Sequence, residues 1–266
     1  MSKTHEQFRN QGYFPDQRQF FDRLITQDWE TYTDPHWDRV RLFEVRNIMS
    51  LIEDRCESVL DVGCGCGYHD LLFAGFPGIR KIVGIDYSEK SIQQANRHYP
   101  HEKIQRIVAD IFEPSLALQS LGLFDLVVSF SVIEHLQTPV EFLQQCNTFV
   151  KPGGFMAVVT PNRNRVSNRL RHLCGKPPKY VDPLHFREYT IKELVQMGRD
   201  LNMIPLKLFG SCLQIQLNCY LFRISLLSGK TEIAMKLGNV FPHFANFIGV
   251  LFQQQDQRRP SGNENL

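Results

Sequence analysis

The sequence has few of the features that mark a secreted, membrane-spanning or strongly nucleic-acid-binding protein. No apolar run approaches the ~18 residues that a membrane-spanning helix needs. The first residues, MSKTHEQFRNQ, lack the apolar segment of a signal peptide. The 30 Lys and Arg residues nearly balance the 28 Asp and Glu residues, and a net charge of +2 is too small to indicate nucleic acid as a partner. We therefore expect a cytoplasmic protein without a membrane span.

The cysteines do not form a recognisable framework. There are seven, an odd number, scattered with no repeating spacing, which is typical of reduced thiols rather than of disulfides. Cys64 and Cys66 form a C-x-C pair, but a structural zinc site needs about four ligands, and no second Cys or His pair at such spacing follows. We expect no metal at this pair and interpret both cysteines as packing residues.

From residue 57 onward the sequence alternates strand-length apolar runs with helix-length amphipathic segments. The apolar runs are SVLDV, KIVGID, IQRIVAD, FDLVVSFSV and GGFMAVVT, and the segments between them include YHDLLFAG, SEKSIQQANRHY and PVEFLQQCNTFV. Such alternation predicts βαβ units, whose right-handed crossovers cover both faces of a parallel sheet. We predict an α/β fold with a doubly wound, mostly parallel sheet.

The flanking segments do not follow this alternation. Residues 1–44 are predicted to form an N-terminal helical cap, with helices over about 16–30 and 38–53 joined by a turn at Thr33-Asp34-Pro35. The main domain is predicted over 45–252, with cap insertions at 161–189 and 212–245, the second of them helical. A helix over about 190–201 and strands in PLKLFG and IGVLFQQ complete it, and the polar tail 253–266 is predicted to be disordered.

The first predicted strand ends in a loop with three alternating glycines, Gly63, Gly65 and Gly67. Glycines there permit positive φ and let a ligand approach the bare backbone. The dinucleotide pattern G-x-G-x-x-G is absent, because the third glycine comes one residue early. The loop alone therefore indicates a nucleotide site only weakly.

Acidic residues at three successive strand ends strengthen this interpretation. Asp86 ends the second strand, where an acid can accept hydrogen bonds from both ribose hydroxyls. Asp61 lies beside the glycine loop, where a carboxylate would repel a pyrophosphate but suits a cationic ligand, and Asp110 closes the third strand. Each acid alone could be an ordinary helix cap. Together they favour a positively charged adenosine compound.

The motifs VLDVGCGCG, VGIDYS, IVADIF, FDLVVSFSVIEHL and FVKPGG resemble, in order, those of the class I S-adenosylmethionine-dependent methyltransferases. The resemblance is close over residues 57–161, and Glu-His-Leu after the fourth strand is similar to the branch that includes ubiquinone-type and small-molecule O-methyltransferases. It implies a seven-stranded Rossmann-like sheet with an antiparallel last strand and S-adenosyl-L-methionine bound across its C-terminal edge. The cofactor-binding residues that it implies are Asp61, Gly63, Gly65, Gly67, Asp86, Tyr87, Asp110, Ile111 and Ser129.

The same resemblance indicates where the methyl acceptor binds. Glu134 and His135 follow the fourth strand, and His135 is the best candidate for a general base by residue type. Metal-assisted members of this branch have Glu-x-x-Glu-His, but Ser131 replaces the first acid here, so we predict no metal. A second candidate is His185, in a stretch that resembles the H-x-R-x-Y-T of small-molecule methyltransferases. The alternatives are that Glu134 and His135 only pack the cap and that His185 is a surface histidine.

Two segments of the sequence are compatible with more than one kind of methyl acceptor. The segment 161–180 carries six Arg and Lys residues and no acid, which fits a solvated face, a site for an anionic substrate or an RNA-contact patch. The apolar stretch 212–245 is expected to fold over the acceptor, or else to contact lipid peripherally. We predict a methyltransferase acting on a small-molecule, lipid- or sugar-like acceptor at oxygen. The alternatives are an RNA- or protein-modifying methyltransferase and a non-catalytic cofactor-binding partner subunit.

Overall fold

The computed structural model describes residues 22, 35–182, 184–213, 215–219, 222–227 and 232–255. In that part of the chain, strands and α-helices alternate over most of their length. The strands are β1 (Ser58–Val62), β2 (Lys81–Asp86), β3 (Ile104–Val108), β4 (Phe124–Phe130), β5 (Val150–Pro161), β6 (Met203–Ser211), β7 (Ile215–Cys219), β8 (Phe222–Leu227) and β9 (Phe247–Gln254). The α-helices are α1 (Pro35–Met49), α2 (Tyr68–Ala74), α3 (Glu89–His98), α4 (Leu116–Gln119), α5 (Pro139–Thr148), α6 (Val166–Leu173), α7 (Ile191–Asp200) and α8 (Glu232–Val240).

Seven strands form one sheet in the order β3-β2-β1-β4-β5-β9-β6. Strands β1 to β5 are parallel to one another, whereas β9 runs antiparallel to both β5 and β6. The chain proceeds from β1 to β2 and β3 on one side and then returns to β4 on the other side of β1. In such sheets ligands bind where the strand order reverses, outside the carboxyl ends of the strands. The topology therefore directs attention to the loops that follow β1 and β4.

The core lies on both faces of this sheet, because successive side chains of a strand point to opposite sides. Leu60 packs in one buried cluster with helices α5 and α7, whereas its neighbour Val59 packs in the other. The second cluster includes Val45 and Ile48, so α1 is fixed to that face. Helix α1 thereby lies beside the edge at which β1 ends.

The structure confirms the predicted doubly wound sheet and its antiparallel last strand. It also confirms the helix over about 190–201 as α7, and α1 corresponds to the predicted helix over 38–53. That helix runs through the boundary drawn between 44 and 45. The predicted helix over 16–30 lies outside the described residues except for residue 22, as does the tail from residue 256 onward.

The helical prediction for 212–245 is wrong in its first half. Strands β7 and β8 form an antiparallel hairpin, and the α-helix among the described residues of this stretch is Glu232–Val240. The physical reason is visible in the sequence, since Ile215, Leu217 and Cys219 alternate with polar residues at the period of a strand. The overall apolar character of the stretch obscured this alternation. Across the described residues, no helix combines the length and apolar character needed to cross a membrane.

Candidate active site

A cavity of about 560 Å³ opens at the C-terminal edge of the sheet, beside the ends of β1 and β4. This volume is within the usual range of sites for small molecules and cofactors. Its walls come from the loops after β1 to β4, from α1 and from the segment after β5. Among the predicted site residues, those that line it are Gly63, Gly65, Asp86, Tyr87, Asp110, Ile111 and His135.

The glycine loop is built around positive φ angles. Gly63 has φ +78°, and a Cβ there would lie 2.4 Å from a methyl carbon of Val132. Gly65 has φ +50° and no atom within 4 Å of the position of a Cβ, so its backbone is bare toward the cavity. Its amide N–H donates a hydrogen bond of 2.9 Å to Oδ2 of Asp86. The loop after β1 is therefore fastened to the end of β2.

Asp86 is oriented by two backbone donors. Oδ2 accepts from Gly65, and Oδ1 accepts a hydrogen bond of 2.8 Å from the amide of Ser88, which caps α3. Each carboxylate oxygen has a second lone pair, and the side chain lines the cavity. Asp110 is held similarly, since its Oδ1 accepts from the amide of Phe112 at 3.0 Å. Two of the three predicted acids thus face one cavity from adjacent strand ends.

The remaining predicted cofactor residues lie behind the loop and do not line the cavity. Asp61 and Ser129 are almost completely buried, and Gly67 is covered by Arg106. Burial, reinforced by the adjacent Asp70 carboxyl group, raises the pKa of Asp61 well above its usual value. Asp61 therefore lies beneath the loop and does not line the cavity, contrary to what the sequence suggested.

A buried arginine that the sequence analysis missed supports the loop from below. Arg106, on β3, forms an ion pair of 2.7 Å with Asp70 at the start of α2. Its guanidinium also donates to the carbonyl oxygens of Gly67, at 3.1 Å, and Ala95, at 3.3 Å. It thereby connects the glycine loop, α2 and α3. The signal was an arginine in the middle of an otherwise apolar strand, where a charge requires a buried partner.

Helix α1 contributes a second group of residues that the sequence analysis missed. Trp37, Arg41 and Glu44 line the cavity together with His69. The His69 ring stacks on Phe130 with centroids 3.7 Å apart, and its Nε2 lies 3.9 Å from a carboxylate oxygen of Glu44. Burial lowers the pKa of His69, which favours the neutral ring. The predicted N-terminal cap is in this respect part of the site.

The three predicted acceptor-side residues come together in one cluster. Glu134 and His135 form a short 3₁₀ helix after β4, and His185 approaches from the segment after β5. The rings of His135 and His185 pack edge to face with centroids 4.7 Å apart. One ligand atom from each of the three residues lies within 4.8 Å of the others. His185 is buried, which excludes its interpretation as a surface histidine.

Burial governs the charges in this cluster. It raises the pKa of Glu134 to about 7 and, together with the nearby His185, lowers the pKa of His135 to about 4. Oε2 of Glu134 accepts a hydrogen bond of 2.8 Å from Thr160, whereas the buried Oε1 has no donor. Nδ1 of His185 lies 3.2 Å from Glu188. Burial acts to raise the pKa of Glu188. The hydrogen bond with His185 and the guanidinium of Arg165 outweigh this effect and hold that pKa below its ordinary value.

Two arginines of the basic segment after β5 are paired within the protein. Arg165 is buried in an ion pair with Glu188. Arg163 makes two hydrogen bonds to Glu193, at 2.8 and 2.9 Å. These arginines fasten the segment to α7 and to the acceptor-side cluster. Arg169, Lys176 and Lys179 of the same segment are exposed.

Comparisons with known proteins agree with this geometry. Residues 60–158 match the family model described as a methyltransferase domain. A probable S-adenosylmethionine-dependent methyltransferase of Mycolicibacterium smegmatis is 34% identical over 145 residues, which are 54% of this chain and 51% of that protein. A ubiquinone biosynthesis O-methyltransferase of Caulobacter vibrioides is 36% identical over 108 residues, 40% of this chain and 41% of that protein. The chain spans about half the length or less of these curated relatives.

A solved structure shares the fold over nearly its whole length. The N-methyltransferase NodS of Bradyrhizobium japonicum, in complex with S-adenosyl-L-homocysteine, aligns with a TM-score of 0.56 at 15% identity, covering 89% of this chain and 97% of that one. The glycine loop lies within the residues that match the family model and within the fold shared with this structure. Residues 60–158 are thus similar to a methyltransferase domain, and the relatives that the chain matches include S-adenosylmethionine-dependent methyltransferases.

Proposed function

We propose that this chain transfers a methyl group from S-adenosyl-L-methionine to a small-molecule, lipid- or sugar-like acceptor, at oxygen. The observation that carries the proposal is the hydrogen bond between the Gly65 amide and Asp86 at the edge of one cavity. This hydrogen bond holds the carboxylate that we assign to the ribose beside the exposed backbone of the glycine loop. Asp110 and Ile111 line the adjacent wall of the cavity. Such an arrangement suits an adenosine whose cationic sulfonium end lies over the loop.

In the proposed reaction the acceptor oxygen attacks the methyl carbon in line with the carbon–sulfur bond. The O–CH₃ bond forms as the S–CH₃ bond breaks, and its electron pair neutralises the sulfonium, leaving S-adenosyl-L-homocysteine. The acceptor hydroxyl loses its proton toward His135, which is the member of the acceptor-side cluster that lines the cavity. Most of the rate enhancement would come from holding donor and acceptor in line.

The class of acceptor is supported by what borders the cavity. Leu136, Leu184 and Phe247 line the cavity together with His135, which suits a compact and partly apolar molecule. The engaged state of Arg163 and Arg165 counts against RNA. The ubiquinone O-methyltransferase relative supports oxygen as the methylated atom. A cytoplasmic location belongs to the same proposal, and the free thiols of the described cysteines suit a reducing compartment.

The proposal is tested with S-adenosyl-L-methionine that carries a labelled methyl group. The purified chain is incubated with it and with separated small-molecule, RNA and protein fractions of a cell extract. We expect label in the small-molecule fraction, loss of transfer in Asp86→Ala, and no effect of Asp54→Ala, an exposed acid far from the cavity. Transfer to RNA or protein instead would favour the corresponding modifying enzyme. Tight donor binding without transfer to any fraction would favour a non-catalytic partner subunit.

A further inference from the structure

The acceptor-side cluster has the composition of a metal centre. Two imidazoles and one carboxylate converge there, since one ligand atom from each of Glu134, His135 and His185 lies within 4.8 Å of the other two. The absence of an acid at Ser131 led the sequence analysis to expect no metal. The fold instead brings His185 to the cluster from a distant part of the chain. We propose that these three residues bind a divalent first-row transition-metal ion.

The strongest observation is the buried carboxylate oxygen Oε1 of Glu134. The residue is 0% exposed, its Oε2 is satisfied by Thr160, and Oε1 has no hydrogen-bond donor. A buried acceptor left unsatisfied costs about 1–3 kcal/mol, so native structures rarely keep one without a reason. The carboxyl is also fixed at its backbone, since its carbonyl oxygen accepts from the amides of Phe186 and Arg187. A cation would supply the partner that this rigidly held oxygen lacks.

The histidines are oriented as metal ligands usually are. Metal-binding imidazoles commonly give their other ring nitrogen to a carboxylate or a backbone carbonyl, which fixes the ring. Nδ1 of His185 is engaged by Glu188, which is itself held by Arg165, so Nε2 is the nitrogen directed away from that support. His135 hydrogen-bonds the backbone of Leu184. The buried Arg165–Glu188 pair would thus serve to orient His185, a role that methyl transfer alone does not require.

The donor set indicates the class of metal and its coordination. Ligand atoms on one tetrahedral ion lie about 3.4 Å apart at ordinary zinc bond lengths, so small side-chain rotations would close the cluster. Imidazoles with a single carboxylate suit Zn²⁺, Fe²⁺ or Co²⁺, whereas Mg²⁺ prefers oxygen ligands. Three protein ligands leave a position open, and His135 lines the cavity on that side. This step rests on the proposed function: the open position would receive the acceptor oxygen and lower the pKa of its hydroxyl, so that His135 would act as a ligand of the metal in place of a general base.

Metal binding can be measured without any methyl donor, which separates this proposal from the proposed function. Tag-free, chelator-treated protein is titrated with Zn²⁺ and with Co²⁺ against a chromophoric chelator, and Co²⁺ coordination is followed by its visible absorption. We expect one ion per chain and no comparable binding of Mg²⁺. His185→Ala and Glu134→Gln should each weaken Zn²⁺ binding at least about 10–100-fold, the usual cost of losing even an outer partner. The exposed His172→Ala serves as the matched control.

Two results would overturn the proposal. The first is a wild-type protein that takes up neither Zn²⁺ nor Co²⁺. The second is a folded His185→Ala or Glu134→Gln variant that binds Zn²⁺ as tightly as His172→Ala does. If one of the two variants fails to fold, circular dichroism will show it, and the wild-type titration and the other variant still decide.

Discussion

Two glycines of the cofactor loop meet different surroundings, and this difference can be measured. A Cβ at Gly65 would project into open space at the cavity, whereas a Cβ at Gly67 would lie 2.8 Å from Cβ of Ala95 and 2.6 Å from Nε of Arg106. Both positions have positive φ, which costs an L-residue roughly 1–2 kcal/mol. At Gly65 the added methyl group would meet the bound cofactor, whereas at Gly67 it would meet the protein itself.

We therefore predict opposite effects of two alanine substitutions. Gly65→Ala should lower the free energy of unfolding by only about 1–2 kcal/mol but weaken the binding of S-adenosyl-L-homocysteine strongly. Gly67→Ala should reduce stability further, because overpacking adds about 1–3 kcal/mol to the strain. Urea unfolding and calorimetric titration of both variants test this. The account would be contradicted if Gly65→Ala bound the cofactor normally.

The ion pair of Arg106 is an example of a single-residue contact that the sequence does not reveal. Its position in β3 was predicted, yet nothing in the neighbouring residues showed that it would pair with Asp70, on α2. Similarly, the proximity of His185 to Glu134 depends on how the segment after β5 folds back. Such pairings across long sequence separations follow from packing, and periodicity or spacing does not encode them.

Among the elements, helix α7 depends on an unusually well-supported cap. Thr190 and Glu193 form a capping box, and Glu193 also accepts hydrogen bonds from Arg163 and Arg187. Although burial acts to raise it, these hydrogen bonds lower the pKa of Glu193 from its ordinary 4.5 to about 2. Because the folded pKa is depressed, the stabilisation is complete above about pH 4.5 and is lost as the pH falls toward 2.

Glu193→Gln should thus destabilise the protein in a pH-dependent manner. We expect a loss of about 1–2 kcal/mol at pH 7, since the side chain is partly exposed and solvent screens its charge. The difference from wild type should shrink when the denaturant titration is repeated at pH 3. Lys192→Gln, in the same turn but exposed, is the control. An equal loss at both pH values would show that the ionised carboxylate is not what stabilises the cap.

The segment after β5 was the element whose role the sequence left open. Its buried Arg165–Glu188 pair predicts a structural role, because removing one partner of a buried pair costs about 3–5 kcal/mol. Arg165→Ala should therefore lose about that much stability in urea, while the exposed Lys176→Ala should change it by less than about 0.5 kcal/mol. A fully stable Arg165→Ala that had lost affinity for RNA would instead support the nucleic-acid interpretation of this segment.

For the molecule as a whole, the sheet was predictable and its covering segments were not. Strands β1 and β2 begin and end where the apolar runs SVLDV and KIVGID do, because buried parallel strands are apolar on both faces. The hairpin of β7 and β8 was missed because the apolar character of the whole stretch obscured the strand-period alternation of Ile215, Leu217 and Cys219. The geometry of the sheet edge thus indicates the methyl donor, whereas the acceptor depends on the covering segments.

The binding of S-adenosyl-L-homocysteine to wild-type protein and to Asp86→Ala, followed by isothermal titration calorimetry, tests the central claim most directly. Asp86 is the carboxylate that fastens the glycine loop and faces the cavity. Loss of its charge-assisted hydrogen bonds should weaken binding by about 1–3 kcal/mol, while Asp54→Ala should bind as the wild type does. A wild-type protein that does not bind this ligand, or an Asp86→Ala variant with an unchanged Kd, would contradict the account.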